Sequence, residues 1–334
     1  MDMNKQWMRA LCGALAMLCV LAGCALPLRG AARAEEAEMT VRLGALKGPT
    51  AMGMAELLHS HPDTYAVHFA GAPDEMVALL ASGQVDIAAL PTNLAATLYN
   101  KTNGGVQMLA LNTLGVLYIL ERGDTIHTVA DLADKTVWAT GQAATPEYTL
   151  NYILAQAGLT QATQVAYKAE HAELATLAAA GGMDVLMLPE PHVTGLLTKD
   201  VGFRIALDVT VAFEEAARQA GGDAVLSMGC WVVRKAFAQE HPEAVSAFLA
   251  RYAASAAYVN ANVEQAAQWV AQYEILPSAA VAARALPNSH IVCISGADMR
   301  SQIAPLLTIW HDANPASVGG ALPLEDFYYE EAGQ

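Results

Sequence analysis

Short apolar runs alternate with amphipathic stretches from residue 39 onward. Met39–Ala45 and Tyr65–Ala70 are predicted to be strands, and helices are predicted to begin at Gly48-Pro49-Thr50 and at Pro73. Gly83 then ends the second helix. This alternation of strand-sized and helix-sized segments is typical of parallel βαβ units. The pattern therefore predicts an α/β fold.

A motif of the first half of the chain recurs in the second half. Gly83–Pro91 (GQVDIAALP) corresponds to Gly181–Pro189 (GGMDVLMLP), with an aspartate before a short apolar strand and a proline at its end. The strands Val41–Ala45 and Thr136–Thr140, each followed by a helix start, form a second pair. Two similar α/β lobes explain both echoes, and coincidence in a chain rich in alanine, leucine and glycine is the alternative.

Two apolar segments predict where the chain passes between the lobes. Val106–Leu120 is interpreted as two buried strands, the second of which carries the chain across, and Leu226–Arg234 as the return crossing. The prediction is a two-lobed fold with the second lobe inserted into the first and a cleft between them. The predicted boundaries are 39–115 and 235–330 for the first lobe and 116–234 for the second.

Residues 1–23 have the pattern of an export signal, with a short basic head before an uncharged apolar run. Leu21-Ala22-Gly23-Cys24 resembles the bacterial lipoprotein signal, in which the cysteine receives lipid and the chain is cut before it. An uncleaved membrane anchor and cleavage after Ala32-Arg33-Ala34 are the alternatives. The lipoprotein interpretation predicts a tether over 24–38 and a protein held outside the cell, on its membrane, through lipidated Cys24.

Composition excludes several classes of protein. Lysine and arginine number 18 against 33 aspartates and glutamates, a net charge of −15, whereas a nucleic-acid partner requires a basic surface. The apolar share of 54% suits a large globular core, and 334 residues suggest about two domains. Beyond Cys24 the mature chain keeps Cys230 and Cys293, which are either a pair or free thiols.

Four loops lie where a predicted strand leads into a helix, and ligands of open parallel sheets bind at such loops. They are Leu46–Met52, Pro91–Asn93, Gly141–Glu147 and Pro189–His192. The third has the clearest helix start, with Thr145 expected at the N-cap and Pro146 at the first helical position. Backbone N–H groups there suit an anion or a carbonyl oxygen, and Lys47 adds a charge in the first lobe. An ordinary helix cap is the alternative for each loop.

No motif of the sequence predicts catalysis, because nucleophile-elbow, dinucleotide-binding and phosphate-loop patterns do not occur in it. Among nine histidines, His59, His61 and His68 form the one cluster, and a solvated helix end explains it better than a metal site. His192 lies at the predicted cleft rim, where a hydrogen-bonding or structural role is expected. We expect no catalytic residue, cofactor or metal.

Several motifs together resemble the extracytoplasmic substrate-binding proteins of ABC importers. They are Leu21–Cys24, Leu43–Gly53 (LGALKGPTAMG), Leu80–Pro91 (LASGQVDIAALP) and Asp131–Val137 (DLADKTV). In the last motif Ala133-Asp134 replaces the Lys-Gly that is usual in these proteins. The resemblance extends over about Met39 to Asn260 and points to the nitrate/sulfonate/taurine and thiamine-pyrimidine-precursor group, also called NMT1/THI5-like.

The resemblance implies a periplasmic-binding-protein-like fold of type II, a small-molecule ligand, and an ABC permease and ATPase as partners, and we expect a monomer. It implies ligand contacts at Lys47, Pro49, Thr50, Met52, Thr92, Asn93, Asn112, Thr113, Gly141, Gln142, Ala144, Thr145 and Glu190. These loops contain no arginine, the usual bidentate partner of a sulfonate or carboxylate. A neutral or weakly acidic solute, such as a heteroaromatic one, therefore fits as well as an anion.

Two other functions stay open at this point. An enzyme similar to the pyrimidine-precursor synthases would share the fold, but those are cytoplasmic and need a cysteine-rich segment that this sequence lacks. A sensor that passes its closed state to a membrane kinase has the same sequence features as an importer component.

Overall fold

The computed structural model describes residues 39–70, 72–142 and 144–330, and in that part of the chain eleven strands form two separate sheets. In chain order the strands are β1 Val41–Leu46, β2 Tyr65–Ala70, β3 Ile87–Pro91, β4 Val106–Leu114, β5 Leu117–Arg122, β6 Thr136–Ala139, β7 Gln164–Tyr167, β8 Val185–Pro189, β9 Phe203–Asp208, β10 Ser227–Arg234 and β11 Ile291–Ser295.

The six-stranded sheet has the order β11-β4-β10-β3-β1-β2, and the five-stranded sheet has the order β7-β6-β8-β5-β9. In the first sheet β1 pairs in parallel with β2 and β3, while β10 lies antiparallel between β3 and β4. In the second sheet β6 pairs in parallel with β7 and β8, while β5 is antiparallel to β8 and β9. Each sheet thus has a parallel βαβ part and an antiparallel part.

All five strands of the second sheet lie in the sequence between β4 and β10 of the first. This arrangement confirms the predicted α/β fold with two lobes, the second inserted into the first. The chain leaves the first sheet at Gly115-Val116, between β4 and β5, and returns through residues 220–226. The interpretation of 106–120 as two buried strands is also confirmed, because β4 and β5 belong to different sheets.

The return crossing differs from its prediction. The sequence predicts that Leu226–Arg234 belongs to the second lobe and forms the return crossing. In the structure β10, which spans most of this segment, pairs with Ile87–Pro91 and Val106–Leu114 in the middle of the first sheet. Its apolar sequence therefore reflects burial between two strands, with Trp231 fully buried. The crossing lies in the preceding segment, residues 220–226. The lobe boundary at residue 234 stays a prediction, but β10, which ends at that residue, belongs to the first sheet.

Thirteen helices connect these strands in the described residues. They are α1 Pro49–Met52, α2 Ala55–Ser60, α3 Pro73–Ala81, α4 Thr92–Lys101, α5 Thr145–Gln156, α6 His171–Ala180, α7 His192–Leu197, α8 Val209–Gln219, α9 Lys235–Glu240, α10 Pro242–Ala261, α11 Val263–Gln272, α12 Ala279–Ala285 and α13 Gly296–Ala313. The long helix α10 packs against α2 and β11, and its Phe248 and Tyr252 contact the Trp231 ring edge-on. These contacts form the core on one face of the first sheet.

The aspartate of the first echoed motif joins three strands of the first sheet. The buried Asp86 carboxylate accepts hydrogen bonds from Arg42 Nε at 2.8 Å, the Arg42 backbone N–H at 3.1 Å and Arg234 Nη2 at 2.7 Å. Burial acts to raise the pKa of Asp86, but the hydrogen bonds from Arg42 and Arg234 outweigh it, and the pKa lies below its usual value. In the second copy Asp184 is exposed, with its Oδ1 3.5 Å from Arg122 Nε.

Replacing Asp86 tests this difference between the two copies. Asp86→Asn removes the charge that both arginines share, and we expect it to lower the free energy of unfolding by about 2–3 kcal/mol in urea denaturation. Since the pKa of Asp86 is depressed in the fold, its contribution is present above pH 4 and is lost as the pH falls further. The matched change Asp184→Asn, on a side chain 68% exposed, should cost less than about 0.5 kcal/mol. Equal losses in the two variants would contradict the assigned role of Asp86.

Candidate functional site

A cavity of about 750 Å³ lies where loops from the two sheets meet. One wall comes from the first lobe, through the loop after β1, the end of β4 and the segment 271–277 that follows α11. The other wall comes from the second lobe, through the first residue of α6 and the loop between β8 and α7. The cavity thus lies at the junction of the two lobes, where the sequence predicts a cleft.

Five of the thirteen predicted ligand-binding residues line this cavity. Lys47, Pro49 and Thr50 belong to the first wall, Thr113 to the end of β4, and Glu190 to the second wall. Their contact with a ligand stays a prediction.

Three further predicted residues are buried beside the cavity in other surroundings. The Met52 side chain packs into the core between β1 and α10, and the Thr92 hydroxyl lies 2.9 Å from the Ser227 hydroxyl. Asn112 Nδ2 donates to the Thr50 carbonyl at 3.4 Å, which ties the end of β4 to the loop after β1. Asn112 therefore helps to hold the loop after β1 in the first wall without lining the cavity itself.

The remaining predicted residues lie where the lobes touch directly. The Thr145 hydroxyl donates to Asn93 Oδ1 at 3.2 Å, and nearby Asn314 Nδ2 donates to the Tyr148 hydroxyl at 3.3 Å. Gly141, Gln142 and Ala144 belong to the same second-lobe loop as Thr145; its residue 143 lies outside the described residues. Thr145 therefore contacts the first lobe, and none of these four residues lines the cavity.

The cap of helix α5 differs by one residue from its prediction. Ala144 has the extended backbone of an N-cap, Thr145 is the first helical residue and Pro146 the second. The Thr145 side chain does not cap the helix, because its hydroxyl is used in the bond to Asn93 across the cleft.

Glu190 brings a buried carboxyl group to the cavity. Thr194 donates its backbone N–H to Oε2 at 3.1 Å and its hydroxyl to Oε1 at 3.0 Å, and Asn288 Nδ2 donates to Oε1 at 3.3 Å. Burial raises the pKa of Glu190, and these hydrogen bonds offset only part of the effect. A ligand N–H group would stabilise the ionised carboxylate further.

The cavity has one lysine or arginine among its lining residues in the described chain. The ammonium group of Lys47 lies 3.6 Å from Glu274 Oε2, and both side chains are exposed, at 48% and 83%. Glu274 therefore compensates the charge of Lys47 before any ligand binds.

Two histidines line the second wall, His171 at the start of α6 and His192 at the start of α7. Their ring centroids are 5.1 Å apart, and the Thr140 hydroxyl lies 2.5 Å from His171 Nδ1. Burial, and then the neighbouring His192, lower the pKa of His171 to about 4, and burial lowers the pKa of His192. Both rings are therefore uncharged at neutral pH.

One residue that lines the cavity also has an unpartnered hydroxyl. Thr113 lines the cavity and is fully buried, and its Oγ1 has no hydrogen-bond partner among the described residues. A buried polar group without a partner costs about 1–3 kcal/mol, which a ligand would recover by bonding to it.

Other features of the described residues bear on the earlier expectations. Cys230 and Cys293 are free thiols, with no bond between them. Within residues 39–70, 72–142 and 144–330, no helix is long and apolar enough to span a membrane. In the same residues no three His, Cys, Asp or Glu side chains are placed to hold a metal ion. The predicted lipoprotein signal and Cys24 lie outside the described residues.

Comparison with known proteins identifies the family. The model of the NMT1-like family matches residues 65–275, which is more than half of the chain and includes both lobes. The chain belongs to the NMT1-like family.

Solved structures show the same two-lobed fold at low sequence identity. An ABC transporter protein from Parabacteroides distasonis superposes with a TM-score of 0.75 at 21% identity, over 88% of this chain and 99% of that one. The aliphatic sulphonate binding protein SsuA of Escherichia coli gives 0.66 at 20%, over 86% and 96%. The ligand-binding component of an ABC-type import system from Staphylococcus aureus, solved with zinc bound, gives 0.62 at 17%, over 88% and 97%. No curated protein matches the sequence.

Two parts of the cavity of this NMT1-like chain escape prediction from sequence. His171 opens an alanine-rich helix, and no motif around it marks a ligand site. The segment 271–277 lies beyond the motifs that resemble the importer proteins, and it reaches the cavity because α11 ends there. The one sequence feature that could have pointed to His171 is its place at a helix start after a strand of the second lobe, like the loops after β6 and β8.

The lowered pKa of His171 predicts a stability effect in acid. In the unfolded chain this ring titrates near 6.5 and in the fold near 4, so the unfolded state binds the proton first as the pH falls. The fold should lose up to roughly 3 kcal/mol from this group between these two pH values. His171→Gln should abolish that part of the pH dependence in urea denaturation at pH 7.0 and pH 4.5. His127→Gln, on an exposed ring, should keep the wild-type dependence, and an unchanged dependence in His171→Gln would refute the assignment.

Proposed function

We propose that this protein is an extracytoplasmic solute-binding protein, which captures a small molecule between its lobes and delivers it to the permease and ATPase of an ABC importer. The observation that carries the proposal is the cavity whose walls come from both lobes. Its volume of about 750 Å³ lies within the range of about 300–1,000 Å³ that small-molecule sites occupy. The structural neighbours from E. coli and S. aureus, a sulphonate binding protein and a ligand-binding component of an importer, agree with such a role.

We propose the location of the protein from its sequence. The motif Leu21–Cys24, which resembles the bacterial lipoprotein signal, supports export and anchoring on the outer side of the membrane through a lipidated Cys24. Residues 24–38 would then form the tether. We propose a monomer, because one chain supplies both walls of the cavity.

The cavity walls support a ligand rich in hydrogen-bonding groups and low in negative charge. Glu190 and the Thr113 hydroxyl offer an acceptor and an unused hydroxyl, and the imidazoles of the second wall are neutral. An aliphatic sulfonate carries a full negative charge at neutral pH, whereas the ammonium of Lys47 is already paired with Glu274. We therefore favour a neutral, hydrogen-bonding solute of heteroaromatic type over an anion at neutral pH.

Closure of the lobes assigns a role to the predicted residues outside the cavity. Asn93 and Thr145 join the lobes at one end, while Lys47 and Thr50 lie on one wall of the cavity and Glu190 on the other. We propose that a ligand bridges these two walls and so favours the closed arrangement.

Ligand capture can be tested on the full chain, produced with its own signal and purified in mild detergent. Native mass spectrometry should detect a co-purifying small molecule, and calorimetry at pH 7.5 should detect binding within a panel of aminopyrimidines, amines and sulfonates. Thr113→Val should weaken binding of the best ligand about tenfold and leave the fold intact, because the lost hydroxyl has no protein partner.

Thr149→Val is the matched control for this experiment. Thr149 is buried, and its hydroxyl donates to the Thr145 carbonyl within helix α5. This control should bind the ligand like the wild type. Binding of no compound in the panel, together with no co-purifying molecule, would refute the proposed function.

A further inference from the structure

The two imidazoles of the second wall form a pair inside the cavity. His171 and His192 come from different helices, and their rings lie at 43° with centroids 5.1 Å apart. Both residues line the cavity, and neither belongs to the ligand contacts that the sequence predicts. The pair therefore adds two ring systems to the wall that already carries Glu190.

The charged groups around the pair come from its own helices and from the elements packed against them. They are Glu170 just before α6 and Glu173 on it, Lys168 after β7, Glu190 before α7, Lys199 and Asp200 after α7, Arg204 and Asp208 on β9, Arg284 on α12, and Lys47 and Glu274 on the facing wall. Lys168 Nζ lies 3.8 Å from Glu173 Oε1, and Arg284 Nη1 donates to the Thr198 hydroxyl at 3.2 Å. Lys168 and Arg284 are thus engaged elsewhere, and among the described residues Glu190 and Glu274 are the two carboxyl groups that line the cavity with the pair.

The protonation state of the pair decides what this wall can bind. A neutral imidazole offers one N–H donor and one nitrogen acceptor, whereas an imidazolium offers two donors and a positive charge. Burial and the proximity of the two rings hold the pair unprotonated at neutral pH. A single proton would make this wall cationic, with Lys47 on the other side of the cavity.

We propose that His171 and His192 are ligand-contacting residues that select for ligand charge: unprotonated, they favour a neutral hydrogen-bonding solute, and after proton uptake in mild acid they favour an anion. This inference rests on the proposed function, since it requires the cavity to be a solute site. Binding of an anion to the protonated pair also promotes proton uptake, because the two events are thermodynamically linked.

Methanesulfonate, a small anion that does not titrate in this range, is the probe for the test. Calorimetry on the full chain at pH 7.5 and pH 5.0 should show at least tenfold tighter binding in acid. The double variant His171→Gln/His192→Gln keeps polar side chains but cannot take up a proton, and it should lose this gain. His127→Gln, on an exposed ring of the second lobe, should retain it. Circular dichroism at both pH values verifies that each variant is folded.

Two results would overturn the proposal. One is methanesulfonate binding that is absent or equally strong at both pH values in the wild type. The other is a gain in acid that persists in the double variant, which would assign the proton to another group such as Glu190. Binding of an aminopyrimidine at pH 7.5 alongside either result would leave the proposed function standing, whereas failure of all probes would remove both.

Nuclear magnetic resonance of the histidine rings supplies a readout that needs no ligand. His192→Gln should raise the pKa of His171, because it removes the neighbouring ring that opposes protonation. An unchanged His171 titration in that variant would show that the rings do not interact, and the proposed pair would be refuted.

Discussion

The arrangement of the two sheets depends on the narrow passage where the chain first leaves the six-stranded sheet. Gly115 lies so close to Thr210, at the start of α8, that a Cβ atom there would overlap the threonine side chain. His290 Nδ1 donates to the Gly115 carbonyl at 2.5 Å, so the same residue is also held from the first lobe. This packing keeps the ends of β4 and β5 together, and the loops that follow β1 and β8 therefore face each other across the cavity.

The cavity brings together several polar groups that are buried or desolvated. A buried carboxyl, two desolvated imidazoles and a hydroxyl without a partner each cost folding free energy, and the rest of the fold must offset that cost. Elsewhere, buried charge is well compensated, as at Asp86 with its two arginines. Asp86 thus stabilises the first sheet, whereas Thr113 leaves a buried hydroxyl unpartnered at the cavity.

Much of this fold could be predicted from local patterns, because strands β3 and β8 are short apolar runs whose ends are marked by an aspartate and a proline. The same reasoning placed Lys47, Thr50 and Glu190 at strand ends, and the structure brings these three to one cavity. It did not place Thr145, since a strand end gives a position in a sheet but not the angle between two sheets. That angle puts Thr145 against Asn93 and brings His171 to the cavity instead.

The two ends of the junction differ, and this difference bears on how the lobes could move. At one end direct hydrogen bonds join Asn93 to Thr145 and Asn314 to Tyr148, so the lobes are held together without a ligand. At the other end the walls are separated by the cavity, and the contacts beside it are made by Asn288 with Glu190 and Tyr118 and by Arg284 with Thr198. A few neutral hydrogen bonds contribute about 1 kcal/mol each, which is small enough for thermal opening. A solute that bonds to both walls would add to the same balance, so binding and closure become one equilibrium.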